Sequence, residues 1–428
     1  MINQDKIRVA FICPGGVIRA IKLYERSLAS KLIKMGFHIR AYTSRWVLNV
    51  FMEEKKKDFI DGIEVVRYDS RVRIKPKIQV SDFFMFIHDV ITFRPILIHL
   101  HFPSYMNPNA WITLLMKKLL GVPYVITLHN VLLDPFIKAP LPHTWSTRYD
   151  VSNIITTLRD FLHKIIKKGR VCKNDIINYM SHSEILHADK IVALTSFEKY
   201  ILINYLKIPE NKITVIPNAV DKEILKNKIP KKLAREKIGL PKDKFVILYL
   251  AQIVEFKGPQ FLVEALKYVL RENKDVLTIF AGYNTKLVPF ILKRSKELGI
   301  SDKVLVLKRP SDKEKFLLLS ATDIYVLPTL TEGFPTSVLE AMAFSKPIVV
   351  SNVTGITDVV KHMKTGILVK PADIDDLANA IIMLLKNNKL METLGLNANK
   401  EVLKNYTWNI VAQKYAKLYL EIIQETFR

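Results

Sequence analysis

Along most of this chain, short unbroken runs of aliphatic and β-branched residues alternate with longer stretches whose apolar positions recur at helical spacing. The runs predict strands at 7–12, 38–42, 63–68, 96–101, 124–127, 190–194 and 214–216. A second set is predicted at 245–250, 277–280, 304–307, 324–327, 348–351 and 366–369. Few of these runs alternate with polar residues, as expected of parallel strands covered on both faces. With helices between them they form successive βαβ units, so each half of the chain reads as a doubly wound α/β domain.

A chain of 428 residues is long for one core and agrees with two domains. The lysine run 226–237, followed by a fresh strand, places a linker at 221–241 between an N-terminal Rossmann-like domain (1–220) and a C-terminal one (242–408). The terminal segment 409–428 carries Ile410, Val411, Tyr415, Leu418, Tyr419 and Ile422 at helical spacing, and is expected to pack back on the N-terminal domain. Residues 131–182 exceed a minimal βαβ connection. Between Lys138 and Met180 they hold eight Lys/Arg against three Asp. Excursions of this length are usually functional or disordered.

Composition then narrows the class. Hydrophobic residues make up 49% and charged residues 25%, which is globular. Two cysteines, Cys13 and Cys172, cannot build a disulfide framework, so a reducing cytoplasm is expected. The apolar run 7–13 is too short for a secretory signal. The most apolar stretch, 83–101, is broken by Asp89, Arg94 and Pro95, so no spanning helix is expected. The net charge of +24 asks for an anionic partner: nucleic acid, anionic lipid or a phosphorylated substrate, unless it serves only a solvated lysine-rich surface. No nucleic-acid-binding motif is evident and the aromatics lie mostly in apolar runs, which argues against nucleic acid. Arg71, Arg73, Lys75 and Lys77 alternate and would share one face of an extended segment.

The most informative segment follows the predicted strand 324–327. It reads Glu332-Gly333-Phe334-Pro335-Thr336-Ser337-Val338-Leu339-Glu340-Ala341-Met342-Ala343. Pro335 suits the first turn of a helix. Gly333 permits a close backbone approach before it. A helix start there would aim free N–H groups and partial positive charge at an anion. Glu332 lies in the loop and Glu340 inside the helix, too far apart for an acid/base dyad but suited to hydroxyls at two places on a long ligand. Taken alone, such a pair is ordinarily a cap and a solvated helix charge.

The surrounding residues decide otherwise. This run, followed by Lys346-Pro347-Ile348-Val349-Val350-Ser351, resembles the donor-site signature of family four glycosyltransferases, a retaining group with the two-Rossmann GT-B fold whose domains face a cleft. Further matches are 216–221, Glu255-Phe256-Lys257-Gly258, 280–282, 321–323, 355–360, 365–369 and 371–373, with Pro14-Gly15-Gly16 at the front. The resemblance implies a nucleotide-diphosphate sugar as donor. Glu332 would contact the sugar and Glu340 the ribose. Backbone N–H groups of Gly333, Phe334, Thr336, Ser337 and Val338, beside Pro335, would line sugar and diphosphate. No His-Glu-x-x-His and no cysteine pairs are visible, so no metal and no cofactor are expected; Lys257 and the helix start would stabilise the leaving group. Where the family has Gly-Arg, this chain has Ala251-Gln252, which hydrogen-bonds but brings no charge; Lys308 or Arg309 could compensate.

The resemblance also places a cleft histidine at His129, after a Val-x-Thr-x-His run, near donor sugar or acceptor. His101 is a second candidate, whereas His99 reads better as a satisfied core residue. Gly15-Gly16 opens the first helix and is either an acceptor or phosphate loop or a tight turn. Family members commonly glycosylate lipid-linked acceptors, so peripheral attachment of the basic N-terminal domain to the cytoplasmic face of an anionic membrane is expected. Alternatives are a basic nucleic-acid- or lipid-binding protein of the same fold with little or no transfer, and a sugar-nucleotide epimerase or hydrolase.

Overall fold

The computed structural model describes residues 7–13, 24–44, 46–47, 50–51, 57–68, 80–102, 108–128, 185–204, 206–283 and 286–428. The chain divides into two compact units. One runs to Asn218 and takes back Trp408–Arg428; the other is Ala219–Thr407.

The first unit is built on β1 (Arg8–Ile12), β2 (His38–Ser44), a small antiparallel ribbon of β3 (Trp46–Val47) and β4 (Val50–Phe51), and then β5 (Lys57–Ile60), β6 (Ile63–Tyr68), β7 (Leu97–Phe102), β8 (Tyr124–Leu128), β9 (Lys190–Ala193) and β10 (Ile213–Val215). Its eight-stranded sheet runs β10-β9-β8-β7-β1-β2-β6-β5. Every pairing is parallel except the β5–β6 hairpin at the edge. The stretch 83–101 splits at Arg94-Pro95 into the helix Val80–Phe93 and β7, because proline cannot continue the helix. Among the described residues no helix is long and apolar enough to cross a membrane. The C-terminal helix Trp408–Thr426 buries Val411, Tyr415, Leu418, Tyr419 and Ile422, as its periodicity predicts, and packs on the helix Tyr24–Lys34.

The second unit holds β11 (Phe245–Leu250), β12 (Val276–Gly282), β13 (Val304–Lys308), β14 (Ile324–Leu327), β15 (Ile348–Ser351) and β16 (Ile367–Val369), all parallel, in the order β13-β12-β11-β14-β15-β16. Strands β12, β14 and β15 are buried throughout, and β11 from Val246 onward, which is why they read as nearly continuous apolar runs. The stretch 221–241, expected to be a linker, holds the helix Lys231–Lys237 and is fastened to this unit. Buried Arg235 donates to the carbonyls of Ala321, Lys242 and Lys244 and to Asp323 at 2.5 Å, and the same carboxylate accepts from Lys231 and from the Val246 N–H.

Candidate active site

In the second sheet the strand order reverses between β11 and β14. Ligands of doubly wound sheets lie outside the carboxyl ends of the strands at such a point. The connections leaving these two strands carry Gln252, Lys257 and Glu332, and they are stitched together. The Leu330 N–H donates to the Phe256 carbonyl at 2.8 Å, and the Thr329 hydroxyl donates to the same oxygen at 2.9 Å. Gly258 closes the turn with φ +73°, and a Cβ there would stand 1.8 Å from the Pro328 carbonyl oxygen, so only glycine allows the approach. As a result Lys257 Nζ meets Glu332 Oε2 at 2.7 Å, with side-chain exposures of 15% and 8%.

Pro335 is the N-cap of the helix Thr336–Ala343 and loses no N–H in that role. The first-turn N–H groups have no intrahelical acceptor, and the aligned peptide dipoles put partial positive charge there. Two buried tyrosines brace this end of the sheet, Tyr325 the helix start and Tyr249 the connection that leaves β11. The Tyr325 hydroxyl lies 2.8 Å from Ser337 Oγ and 3.2 Å from the Leu250 carbonyl, while Tyr249 donates to the Gln252 carbonyl at 2.6 Å. Burial above all raises the pKa of both phenols, Tyr325 and then Glu332 adding to it at Tyr249, and Glu332 and Glu340 adding at Tyr325 against the opposing Ser337 hydrogen bond, so they remain protonated donors. Across the loop from Gly333 a second glycine makes a close approach. Gly355 has φ +81°, and a Cβ on it would lie 2.4 Å from the Glu332 carbonyl oxygen and 2.7 Å from that of Gly333.

Glu340, four residues into the helix, is paired with Lys315 at 2.5 Å. Gln252 donates through Nε2 to the Tyr283 hydroxyl at 2.9 Å. Lys308 and Arg309 are exposed at the carboxyl end of the edge strand β13, where the Arg309 N–H donates to the Gly282 carbonyl at 2.8 Å. Lys257, Glu332 and the helix start are thus gathered at one end of one sheet, with Gln252 on the β11 connection at that end.

Three expected residues of the N-terminal domain, His129, Gly15 and Gly16, lie outside the described residues, as do the basic stretches 71–77 and 131–182. His101 lies at the carboxyl end of β7. It is wholly buried, its ring 4.9 Å from Phe11 and 3.9 Å from His99 between centroids, and burial lowers its pKa to about 3. Burial keeps this imidazole neutral, at the carboxyl end of a strand in the middle of the eight-stranded sheet. His99 is buried and satisfied, 2.5 Å from the Tyr419 hydroxyl and 2.7 Å from Thr127 Oγ1.

Sequence reasoning missed Lys315, the two bracing tyrosines and Gly355. Gly355 lay inside a matched segment and could have been singled out. Lys315 gave no signal, since its partner is 25 residues away in another helix.

The family model described as Glycosyl transferases group 1 matches residues 230–401, and the one described as Glycosyltransferase Family 4 matches residues 23–224. The chain is similar to the UDP-Gal:alpha-D-GlcNAc-diphosphoundecaprenol alpha-1,3-galactosyltransferase of Escherichia coli, with 29% identity over 239 residues, 55% of this chain; it spans only 60% of that enzyme's length. Sucrose-phosphate synthase from Thermosynechococcus elongatus superposes with a TM-score of 0.74 at 19% identity, over 98% of this chain and 100% of that one. Anabaena HepE in complex with UDP-glucose gives 0.67 at 16%, over 97% and 99%. Identities this low speak for a shared fold alone.

Proposed function

Because the chain belongs to the group 1, family four glycosyltransferases and shares their GT-B fold of two parallel-sheet domains, we propose that it transfers a sugar from a nucleotide-diphosphate donor bound at the carboxyl end of β11 and β14. The Lys257–Glu332 pair beside the helix start carries this reading. A donor laid along the site exchanges partners with it. Sugar hydroxyls donate to Glu332, which frees the Lys257 ammonium to turn to the diphosphate at the N-terminus of the helix.

Transfer then breaks the bond between the anomeric carbon and the phosphate oxygen, forms a bond from that carbon to the acceptor oxygen, and leaves negative charge on the departing nucleoside diphosphate. Lys257 and the helix N–H groups are aimed where that charge grows, which is the arrangement that lowers a barrier by electrostatic preorganisation. Retention follows if the acceptor hydroxyl attacks from the face the phosphate leaves, with a phosphate oxygen taking its proton. Since a lysine and a helix start supply the positive field, the reaction is expected to survive dialysis against EDTA. His129 is proposed to face the donor sugar or acceptor.

The UDP-Gal enzyme of Escherichia coli is named for a diphosphoundecaprenol acceptor, and HepE was crystallised with UDP-glucose. With the net charge of +24, these support a lipid-linked or glycan acceptor presented at an anionic membrane surface. Attraction of about 1 kcal/mol per basic residue near the surface makes sedimentation with anionic vesicles salt-dependent; equal binding to neutral vesicles refutes the membrane part. The donor part is tested by isothermal titration of UDP-, GDP- and ADP-sugars against the wild-type chain, K257M and E332Q. Binding of one donor that both substitutions weaken is expected. The reading fails if none of the three binds, or if binding ignores both substitutions.

A further inference from the structure

Glu340 occupies a place where an unbalanced carboxylate would do harm. Side chains of a helix lean toward its N-terminus. On the eight-residue helix Thr336–Ala343, Glu340 shares a face with Thr336 and Ser337, one turn below the N–H groups that would receive a diphosphate. Its negative charge would oppose that anion. Lys315 removes the conflict: its Nζ is 2.5 Å from Glu340 Oε1, with side-chain exposures of 18% and 15%.

Lys315 is itself held in place. A capping box of Ser311 and Glu314 fixes the start of its helix Asp312–Ala321, and the Lys315 N–H donates to the Ser311 carbonyl at 2.8 Å. The next side chain, Phe316, stacks on Phe344 at the far end of the Glu340 helix, with centroids 6.1 Å apart and planes 14° from parallel. Lys315 reaches one carboxylate oxygen of Glu340 and lies farther, 3.9 Å, from Asp312 Oδ1. Among the described residues Oε2 makes no hydrogen bond or ion pair, and a vicinal pair of hydroxyls can donate to it.

We propose that Lys315 is a positioning residue that neutralises and orients Glu340, so that the free carboxylate oxygen selects a nucleoside carrying an intact ribose diol. This rests on the donor site proposed above. Lys315 touches Glu340 rather than the ligand, and its contribution is to the choice of nucleotide and not to the breaking of the sugar–phosphate bond.

The test is isothermal titration of the full chain with UDP, GDP and ADP and with the 2′-deoxy and 3′-deoxy forms of whichever binds, for wild type, K315M and K315R. Wild type should prefer the ribonucleotide by about tenfold or more, the worth of a hydrogen bond to a charged group. K315M should bring that preference to within about threefold of unity, and K315R should restore it. Thermal melts of the three proteins separate this from misfolding, because a merely structural lysine would lower affinity for ribo and deoxy forms alike. An unchanged preference in K315M overturns the role of Lys315 and leaves the donor site standing. Failure of wild type to bind any of the three nucleotides overturns both.

Discussion

Lys257→Met probes the proposed chemistry most directly. The ammonium lies in a turn fixed by Gly258, 2.7 Å from a carboxylate that is 8% exposed. A unit charge about 4 Å from another is worth about 4 kcal/mol at an effective dielectric constant near 20. In the ground state little of this is gained, because the lysine must leave Glu332 to reach the diphosphate. As the sugar–phosphate bond breaks, charge builds on the leaving group and the interaction grows. Loss of one such donor typically costs about 3–4 kcal/mol in the transition state, a factor of about 10²–10³ in kcat. The expected pattern in a steady-state assay of nucleoside diphosphate release is therefore a kcat lower by about 10²–10³, with a smaller change in KM. Because the substitution leaves Glu332 buried without its partner, K257M should also melt earlier, and adding E332Q should recover part of the stability without recovering kcat. A K257M enzyme that retains wild-type kcat refutes the reasoning, whatever its melting temperature.

Gly355→Ala should displace the loop that carries Glu332, since a Cβ there would overlap two of its carbonyl oxygens and φ is +81°; a loss of about 1–3 kcal/mol in denaturant melts and weaker donor binding are expected. Gln252→Arg should retain donor binding, because the glutamine's Nε2 donates to Tyr283, itself 60% exposed; abolished binding by titration would count against a tolerant position. Lys346 donates to the Ser320 and Thr322 carbonyls, and burial lowers its pKa to about 7, Lys228, Lys231 and Arg235 adding to the effect against the opposing Asp323. Between pH 7 and roughly 10 the unfolded lysine holds a proton that the folded one has lost, so stability should rise with pH through that window by at most about 1.4 kcal/mol per unit. A K346M protein whose melts rise just as steeply over that window contradicts this.

The parallel strands were legible because burial on both faces leaves mostly apolar residues: β11, β14 and β15 match their predicted spans end for end, as does β6 despite Glu64 and Arg67. The edge hairpin strand β5 was not foreseen, since Lys57-Asp58-Phe59-Ile60 alternates exposed with half-buried positions and carries charge like a loop. The lysine run 226–237 looked like solvated linker because its anchor, the carboxylate of Asp323, is 88 residues away from Arg235. The match at 321–323 contained that anchor, but composition cannot say which distant base it holds.

The same distinction separates the two ends of the proposed donor site. The stretch 332–343 was legible because a strand end, a proline-started helix and its exposed N–H groups are contiguous in sequence, and contiguity is what local backbone chemistry encodes. Each carboxylate in it was read as a ligand for hydroxyls, yet each is held by a lysine from another connection, Lys257 at 75 residues and Lys315 at 25. Two acids beside a site proposed for a dianion are tenable only with such counter-charges. Lys257 could be picked out because it stands in a segment that the resemblance matches; Lys315 carried no such signal, because its reach to Glu340 depends on the packing of Phe316 on Phe344, which sets one helix against the other.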